Sequence, residues 1–172
     1  MKHPPAFEGT HAPLTYDFPV NTLIQALRYG HRLDVSSALA EIWLGHSVPT
    51  VLPDVLVPMP LHPARLKQRG FNQALELGKG LARQISAPLI PDACQRIRDT
   101  PPQAALPLKE RHKNLRGAFL ADAEKVAGKR IAIVDDVMTS GSSLNELATT
   151  LKQAGAVRVE CWVMARALPP TG

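Results

Sequence analysis

The sequence predicts an α/β fold in which helices flank a central, mainly parallel sheet and a small helical hood lies at the N-terminus. Its 172 residues, 45% of them hydrophobic, suffice for one domain that buries its own core. Short apolar runs alternate with stretches of helical periodicity, a pattern typical of parallel βαβ units. One apolar run ends in two acids and a loop of glycine and hydroxyl residues, at the strand end where such sheets bind ligands.

The beginning of the chain predicts a lead-in and a hood. Residues 1–18 contain three prolines and no periodic apolar pattern, so we expect an extended, disordered lead-in before a domain at 19–172. Two helices of amphipathic pattern follow, one ended by Gly30 and the other begun after Asp34, a suitable N-cap. Together these two helices form the hood, residues 19–50.

The rest of the chain alternates predicted strands and helices. In chain order we predict a buried strand in DVLVPMP (54–60), a helix in NQALELGKGLARQI (72–85), a strand in LIPDACQRIR (89–98), a mobile polar segment (98–116), a strand in RIAIVDD (130–136), a helix in SLNELATTLKQAG (143–155) and a last strand in VRVECWVMARA (157–167). Pro91 counts against a strand through the middle of LIPDACQRIR, since proline cannot donate to a ladder. This order of elements indicates βαβ units.

Positive charge is concentrated in the middle of the chain. The net charge is +5, but residues 60–130 alone hold 14 Lys and Arg against 6 Asp and Glu, an excess of +8. Such an excess indicates an anionic ligand, either a polyphosphate or a nucleic-acid backbone, unless it is only a solvated basic face.

Composition disfavours several classes of protein. No apolar run reaches the roughly 18 residues of a membrane span, and the N-terminus lacks the apolar core of a signal peptide. Cys94 and Cys161 form no CxxC pair and the six histidines lack metal-ligand spacing, so we expect neither a disulfide framework nor zinc. We therefore expect a cytoplasmic protein without membrane insertion.

The segment IAIVDDVMTSGSSL, residues 131–144, carries the clearest chemical pattern. Gly141 can adopt backbone angles that other residues avoid, so the amides of residues 138–143 can surround an anion at the positive end of the next helix. Hydroxyls for phosphate oxygens come from Thr139, Ser140, Ser142 and Ser143. Asp135 and Asp136 are too close to that anion to bind it, so sugar hydroxyls or a divalent cation are their natural partners. A phosphate beside a diol indicates a ribose phosphate.

Two other interpretations compete with a ribose phosphate site. Asp136 can merely cap a helix while the serines solvate a turn, as in many βα connections. A nucleoside triphosphatase is disfavoured, because the loop lacks the lysine of the Walker A pattern GxxxxGK[ST].

The apolar run, the two acids and T-S-G-S-S resemble the motif with which type I phosphoribosyltransferases bind 5-phosphoribosyl-1-pyrophosphate (PRPP). Three further stretches are similar to ComF proteins, which function in competence for DNA uptake. These stretches are LIQALRYGHR (23–32), LVPMPLHPARLKQRGFNQALELGKGLA (56–82) and RDTPPQAALPLKERHKNLRGAF (98–119). The resemblance runs from about residue 19 to residue 166 and implies a type I phosphoribosyltransferase fold.

The resemblance also implies roles for individual residues. It assigns Asp135 and Asp136 to the ribose hydroxyls, to Mg²⁺ and, with Arg69, to catalysis. The 5-phosphate would be held by Met138, Thr139, Ser140, Gly141, Ser142 and Ser143. The pyrophosphate would meet the loop Met59, Pro60, Leu61 and His62, together with Arg65, Arg98 and Arg111. Other roles stay open for three of these residues: Arg69 in a structural salt bridge, Arg111 in tying down a helix, and His62 as a capping or solvated residue rather than a catalytic base.

Three functions remain open at this point. The first is a ComF-like protein that binds PRPP and magnesium and handles incoming single-stranded DNA with DNA-uptake proteins in the cytoplasm. The second is a phosphoribosyltransferase in which an amine or a nucleobase displaces pyrophosphate, and the third is a PRPP sensor without catalysis. A homodimer is also left open. Many ComF proteins begin with a four-cysteine zinc finger and this chain has none, which puts the contacts made by that finger in doubt here.

Overall fold

The computed structural model describes residues 4–29, 34–46, 49–100 and 115–168. Its strands are β1 (Gly9–His11), β2 (Leu14–Thr15), β3 (Val55–Pro58), β4 (Cys94–Arg96), β5 (Phe119–Ala121), β6 (Arg130–Met138) and β7 (Arg158–Arg166). Its helices are α1 (Val20–Tyr29), α2 (Asp34–His46), α3 (Pro63–Arg69), α4 (Gln73–Ile85), α5 (Ala123–Val126) and α6 (Ser142–Gln153). None of these described helices has the length and apolar character needed to cross a membrane.

The main sheet is parallel, and β6 and β7 lie at its centre. The strands follow the order β1-β7-β6-β3, and β2 pairs with the C-terminal end of β7. Residues Ile131 to Val134 of β6 are fully buried, as expected for an apolar run in the middle of a parallel sheet. A separate antiparallel hairpin is formed by β4 and β5. The predicted α/β fold with helices around a mainly parallel sheet is confirmed.

Side chains of β6 alternate between the two faces of the sheet. Ala132 and Val134 lie in the core formed with α1, α2 and α4. Ile131 and Ile133 lie in the opposite core, which also contains Leu147 of α6. Because neighbouring residues of a strand point to opposite faces, two adjacent acids near the end of β6 are presented to different sides of the sheet.

The N-terminal lead-in belongs to the sheet, so the disorder expected there is wrong for the described residues 4–18. β1 and β2 both pair in parallel with β7, at the edge of the sheet. Phe7 is buried, and the backbone amide of Ala6 donates a hydrogen bond of 2.8 Å to Oδ1 of Asn145. Short edge strands tolerate prolines and need little apolar alternation, because backbone pairing with a long neighbour holds them.

Helix α3 is an element that the sequence pattern does not reveal. It starts at Pro63, where proline suits the first turn, and His62 caps it by accepting a 3.3 Å hydrogen bond at Nδ1 from the amide of Ala64. Gly70 ends the helix with a left-handed φ of +85°. None of the seven helical residues is buried, so no apolar stripe marks the helix in the sequence.

The strand predicted in LIPDACQRIR is shorter than expected. Only Cys94–Arg96 forms a strand, and Leu89 makes an isolated parallel bridge to Leu56 of β3. Pro91 lies between these two pairings, which belong to different sheets, and without an N–H it cannot extend the pairing with β3. The polar segment predicted at 98–116 lies largely outside the described residues, and so does Arg111.

Candidate functional site

A loop from Thr139 to Gly141 joins the end of β6 to the start of α6. Gly141 precedes the helix with a left-handed φ of +74°, and no side chain of the described residues caps α6 there. The amide of Ser142 donates a long hydrogen bond of 3.4 Å to Oγ of Ser140. The next N–H groups of the helix are open to a ligand at the positive end of the helix dipole. The loop surrounds a small cavity lined by Asp135 and by residues 137–144, which we call the cradle.

All six residues predicted to hold a phosphate line this cradle. They are Met138, Thr139, Ser140, Gly141, Ser142 and Ser143. The hydroxyls of Ser140 and Ser142 lie 2.9 Å apart in a mutual hydrogen bond, so both are directed to the same part of the loop. Open amides beside convergent hydroxyls can satisfy the three acceptor oxygens of a phosphate monoester.

Asp135 is the acid on the cradle side of the sheet. Its carboxyl is half-buried, and its Oδ1 accepts a 2.9 Å hydrogen bond from the amide of Asp136. Burial, and next the negative charge of Asp136, raise the pKa of Asp135 to about 8. Asp135 therefore holds its proton more firmly than an ordinary aspartate does.

Asp136 faces the other side, where the guanidinium of Arg28 from α1 holds both of its oxygens. Nε of Arg28 lies 2.5 Å from Oδ2, and Nη2 lies 2.6 Å from Oδ1. The amide of Val137 also donates to Oδ1, at 2.8 Å. Burial by itself lowers the pKa of Arg28, but the hydrogen bond and the charge of Asp136 outweigh burial and raise it. This bidentate pair connects the hood to the end of β6.

A cavity of about 510 Å³ lies between the end of α1 and helix α3. Arg28, Tyr29, Arg65 and Arg69 line it, and Asp99 is the acidic residue among its described lining residues. Three guanidinium groups face one carboxylate here, and Asp136 already neutralises one of the three. The cavity is therefore suited to an anion. We call it the arginine cavity.

Two of these arginines are held mainly by uncharged groups. Arg69 lies over the ring of Tyr29 at 5.8 Å and donates a 2.6 Å hydrogen bond to Oε1 of Gln73. Arg65 donates to the carbonyl oxygen of Thr100 at 3.1 Å, and its Nε lies 3.8 Å from the exposed carboxylate of Asp99. Both side chains are therefore fixed in place while most of their charge stays available to a ligand.

The loop Met59–His62, predicted to meet a pyrophosphate, runs beside the end of β6. The amide of Met59 donates to the carbonyl oxygen of Val134 at 2.8 Å, and Nδ2 of Asn72 donates to the Met59 carbonyl oxygen at 3.0 Å. Pro60 and Leu61 line a separate groove on the far side of α3. His62 serves as the N-cap of α3, one of the roles that the sequence left open.

Asp135 and Asp136 are also candidate ligands of a magnesium ion. Among the described residues there is no group of three or more His, Cys, Asp or Glu side chains able to hold a metal. Magnesium in proteins often keeps only one or two carboxylates and takes its other ligands from phosphates and water. Asp135 presents one carboxyl at the edge of the cradle. The residues present therefore fit Mg²⁺ that binds together with a phosphate ligand.

Known proteins share both the sequence and the fold. A family described as "Phosphoribosyl transferase domain" matches residues 72–170. Competence protein F of Haemophilus influenzae is 31% identical over 97% of this chain and 76% of that protein. The chain belongs to the ComF-like type I phosphoribosyltransferases. A second relative of this ComF-like protein, the DNA utilization protein YhgH of Escherichia coli K12, is 34% identical over 98% of this chain and 76% of its own length.

A solved structure supports the fold of the ComF-like protein. Glutamine PRPP amidotransferase from B. subtilis, complexed with ADP and GMP, matches 81% of this chain and 30% of its own chain, with a TM-score of 0.55 and 22% identity. At this identity the likeness concerns the fold alone. It confirms the type I phosphoribosyltransferase fold that the resemblance implied.

One predicted pyrophosphate contact, Arg98, does not line the arginine cavity, and a second, Arg111, lies outside the described residues. Arg98 is exposed and donates a 2.6 Å hydrogen bond to the carbonyl oxygen of Arg116. Both assignments remain predictions.

Two arginines near the site were missed by sequence reasoning. Arg28 could have been identified from the sequence, because it stands four residues after the buried Ile24 on the apolar side of α1. A charge in that position needs a buried partner. No comparable pattern in the sequence marks Arg96 of β4. Its Nη2 donates to the hydroxyl of Thr100, and burial, followed by the charge of Arg65, lowers its pKa. These arginines extend the positive charge around the strand ends.

Proposed function

We propose that this ComF-like protein binds PRPP with Mg²⁺ at the carboxyl end of β6. The observation that carries the proposal is the arrangement of the cradle and the arginine cavity on the two sides of Asp135 and Asp136. A phosphate monoester, a sugar diol and a pyrophosphate need this combination of open amides, carboxylates and guanidinium groups. The family membership of the chain supports the same ligand.

Each part of the site has a task in this proposal. The cradle holds the 5-phosphate, and the two acids orient the ribose 2- and 3-hydroxyls. Arg65 and Arg69 hold the pyrophosphate. Magnesium, when bound through Asp135 and the ligand, would neutralise part of the pyrophosphate charge.

We further propose that the protein serves the handling of incoming single-stranded DNA in the cytoplasm. Support comes from the names of two relatives, Competence protein F and DNA utilization protein. The excess of +8 between residues 60 and 130 suits a nucleic-acid backbone as well as a polyphosphate. Aromatic residues make up only 5% of the chain, so phosphate contacts would dominate over base stacking.

A second candidate function is phosphoribosyl transfer to an amine or nucleobase. The arginine cavity favours it, because about 510 Å³ falls in the usual range of small-molecule sites and offers room beyond a pyrophosphate. The acceptor nitrogen would form a bond to C1 of the ribose, the bond from C1 to the pyrophosphate oxygen would break, and the nitrogen would lose a proton. Arg69 would stabilise the departing pyrophosphate, and Asp135 or Asp136 the cationic sugar.

One paired experiment separates the two functions. A screen of nucleobases and small amines for pyrophosphate release from PRPP is run beside a salt-dependent titration with single-stranded DNA. DNA handling predicts an affinity that falls steeply with salt, and competition by PRPP if the two anions share the basic segment. Turnover without DNA binding would contradict the first function, whereas DNA binding without turnover would indicate a PRPP-responsive adaptor.

A charge-matched pair of variants tests where DNA binds. Replacing Lys109, Arg111 and Lys113 with glutamine should weaken DNA binding at every sequence and reduce the salt dependence, because these residues would contact phosphates. The control replaces Lys2, Lys152 and Arg158, which lie outside the basic segment 60–130 of the sequence. Equal losses of affinity in both variants would mean that only net charge matters.

A further inference from the structure

Arg28 reaches from the last turn of α1 to the acid that a ribose diol would need. Its Nε and Nη2 occupy Oδ2 and Oδ1 of Asp136, and the amide of Val137 takes a further position on Oδ1. Only 2% of the Asp136 side chain is exposed. A hydroxyl of a ligand therefore reaches Asp136 only if the guanidinium gives way.

We propose that the guanidinium of Arg28 blocks Asp136 in the ligand-free protein. Ribose phosphate displaces this guanidinium from Asp136, and the guanidinium then binds the pyrophosphate of PRPP. This inference rests on the proposed PRPP site. It adds a binding residue from the hood. It also gives the hood a part in ligand binding, because α1 has to shift its contact from the strand end to the ligand.

The surroundings of Arg28 give it a second place to bind. A quarter of its side chain is exposed, 26%, and it already lines the arginine cavity with Arg65 and Arg69. An anion there would attract the released guanidinium, which prefers bidentate contacts to phosphate oxygens as it does to a carboxylate. Tyr29, the next residue, lies under Arg69 and holds the end of α1 near this cavity.

The two acids therefore differ in how they meet a ligand. Asp135 lines the cradle, and its oxygen contacts a backbone amide of its own strand. The guanidinium of Arg28 blocks the access of a ligand to the carboxylate of Asp136. A ribose phosphate would bind first through the cradle and Asp135, and would then compete with Arg28 for Asp136.

Arg28→Gln tests the exchange by calorimetric titration with two ligands, ribose 5-phosphate and Mg²⁺–PRPP. Without the guanidinium to displace, we expect ribose 5-phosphate to bind at least threefold more tightly than to the unaltered protein. The affinity for PRPP should rise less, because the variant also loses the contact to pyrophosphate. The dissociation constant of ribose 5-phosphate divided by that of PRPP should therefore fall. Unchanged or weaker binding of ribose 5-phosphate would overturn the proposal.

Arg130→Gln is the matched control, because Arg130 makes the same kind of bidentate pair with Asp54, away from the cradle and the arginine cavity. It should leave both dissociation constants unchanged. If neither ligand binds the unaltered protein, the proposed PRPP site itself fails and the role of Arg28 falls with it. Binding of both ligands with an unchanged ratio in Arg28→Gln overturns only the role of Arg28.

A second measurement keeps the test valid if Arg28→Gln does not fold. The Nε–H resonance of Arg28, assigned in the unaltered protein by its loss in Arg28→Lys, reports the hydrogen bond to Asp136 directly. Saturating ribose 5-phosphate should shift this resonance toward that of a solvated arginine. A resonance that stays in place at saturation would show that the pair remains closed.

Discussion

Gly141→Ala should weaken PRPP binding as well as lower the stability of the fold. The φ of +74° at this position costs a residue with a Cβ about 1–2 kcal/mol. An added Cβ would also lie 2.6 Å from Cε of Met138, so that flexible side chain must move within the cradle. For a chain of 172 residues, such a loss lowers the melting temperature by about 2–8 °C. Loss of one charge-assisted hydrogen bond to phosphate weakens binding by about tenfold or more.

Gly128→Ala is the control for backbone strain. Gly128 has a φ of +72°, and an added Cβ there would meet nothing within 4 Å. Backbone strain should lower the melting temperature of Gly128→Ala, and Gly141→Ala should lose at least as much because its Cβ also meets Met138. Thermal melts with and without millimolar Mg²⁺–PRPP should then show the full ligand-induced rise in melting temperature in Gly128→Ala and a smaller rise in Gly141→Ala, because tenfold weaker binding removes about 1.4 kcal/mol of ligand stabilisation. An equal rise in the two variants would refute the location of the cradle.

Three further predictions concern the acid pair, the thiols and the core. Asp135 keeps a proton in the folded state that the unfolded chain, with its ordinary pKa of 3.8, has lost, so stability without metal should fall from about pH 4 to its folded pKa of about 8. Asp135→Asn should remove this slope and raise the free energy of unfolding at pH 8.5. Equal slopes of stability against pH for the two proteins in EDTA would contradict this. Cys94 and Cys161 are buried, which raises the pKa of both thiols, that of Cys94 to about 12. Ellman's reagent should therefore react with neither thiol in the native protein at pH 8 and with both in guanidinium chloride, and fast native labelling would contradict the packing. Trp43→Phe should cost about 1–3 kcal/mol by chemical denaturation, because it removes a 3.0 Å hydrogen bond to a strand carbonyl and part of a ring stack; a cost near zero would contradict this.

The sequence predicts those parts of the fold and site whose signals are local. β6, the loop and α6 follow one another without a break, so the apolar run, the acids and the glycine could be interpreted from one short segment. The same holds for α4, where Asn72 caps a helix of clear periodicity. The candidate residues 138–143 line one cavity because consecutive residues of one tight loop cannot lie far apart.

The parts that the sequence could not predict depend on distant partners. β1 pairs with Glu160–Trp162, about 150 residues later, and carries no alternation of its own. Arg28 and Asp136 are separated by 108 positions, so only the structure shows that they meet. His62 had several open roles, and its role as a cap follows from Pro63 starting a helix whose residues are all solvent-accessible.

The most direct test of the central claim is an amide NMR titration of the unaltered protein with Mg²⁺–PRPP. We predict saturable shifts of the amides of residues 138–143, at the end of β6 and in the cradle, with the same dissociation constant as the calorimetric titration. Ribose 5-phosphate should shift the same amides and leave the amides of α3, beside the arginine cavity, nearly unchanged. No shift in the cradle at millimolar PRPP, or shifts confined to another surface, would contradict the account.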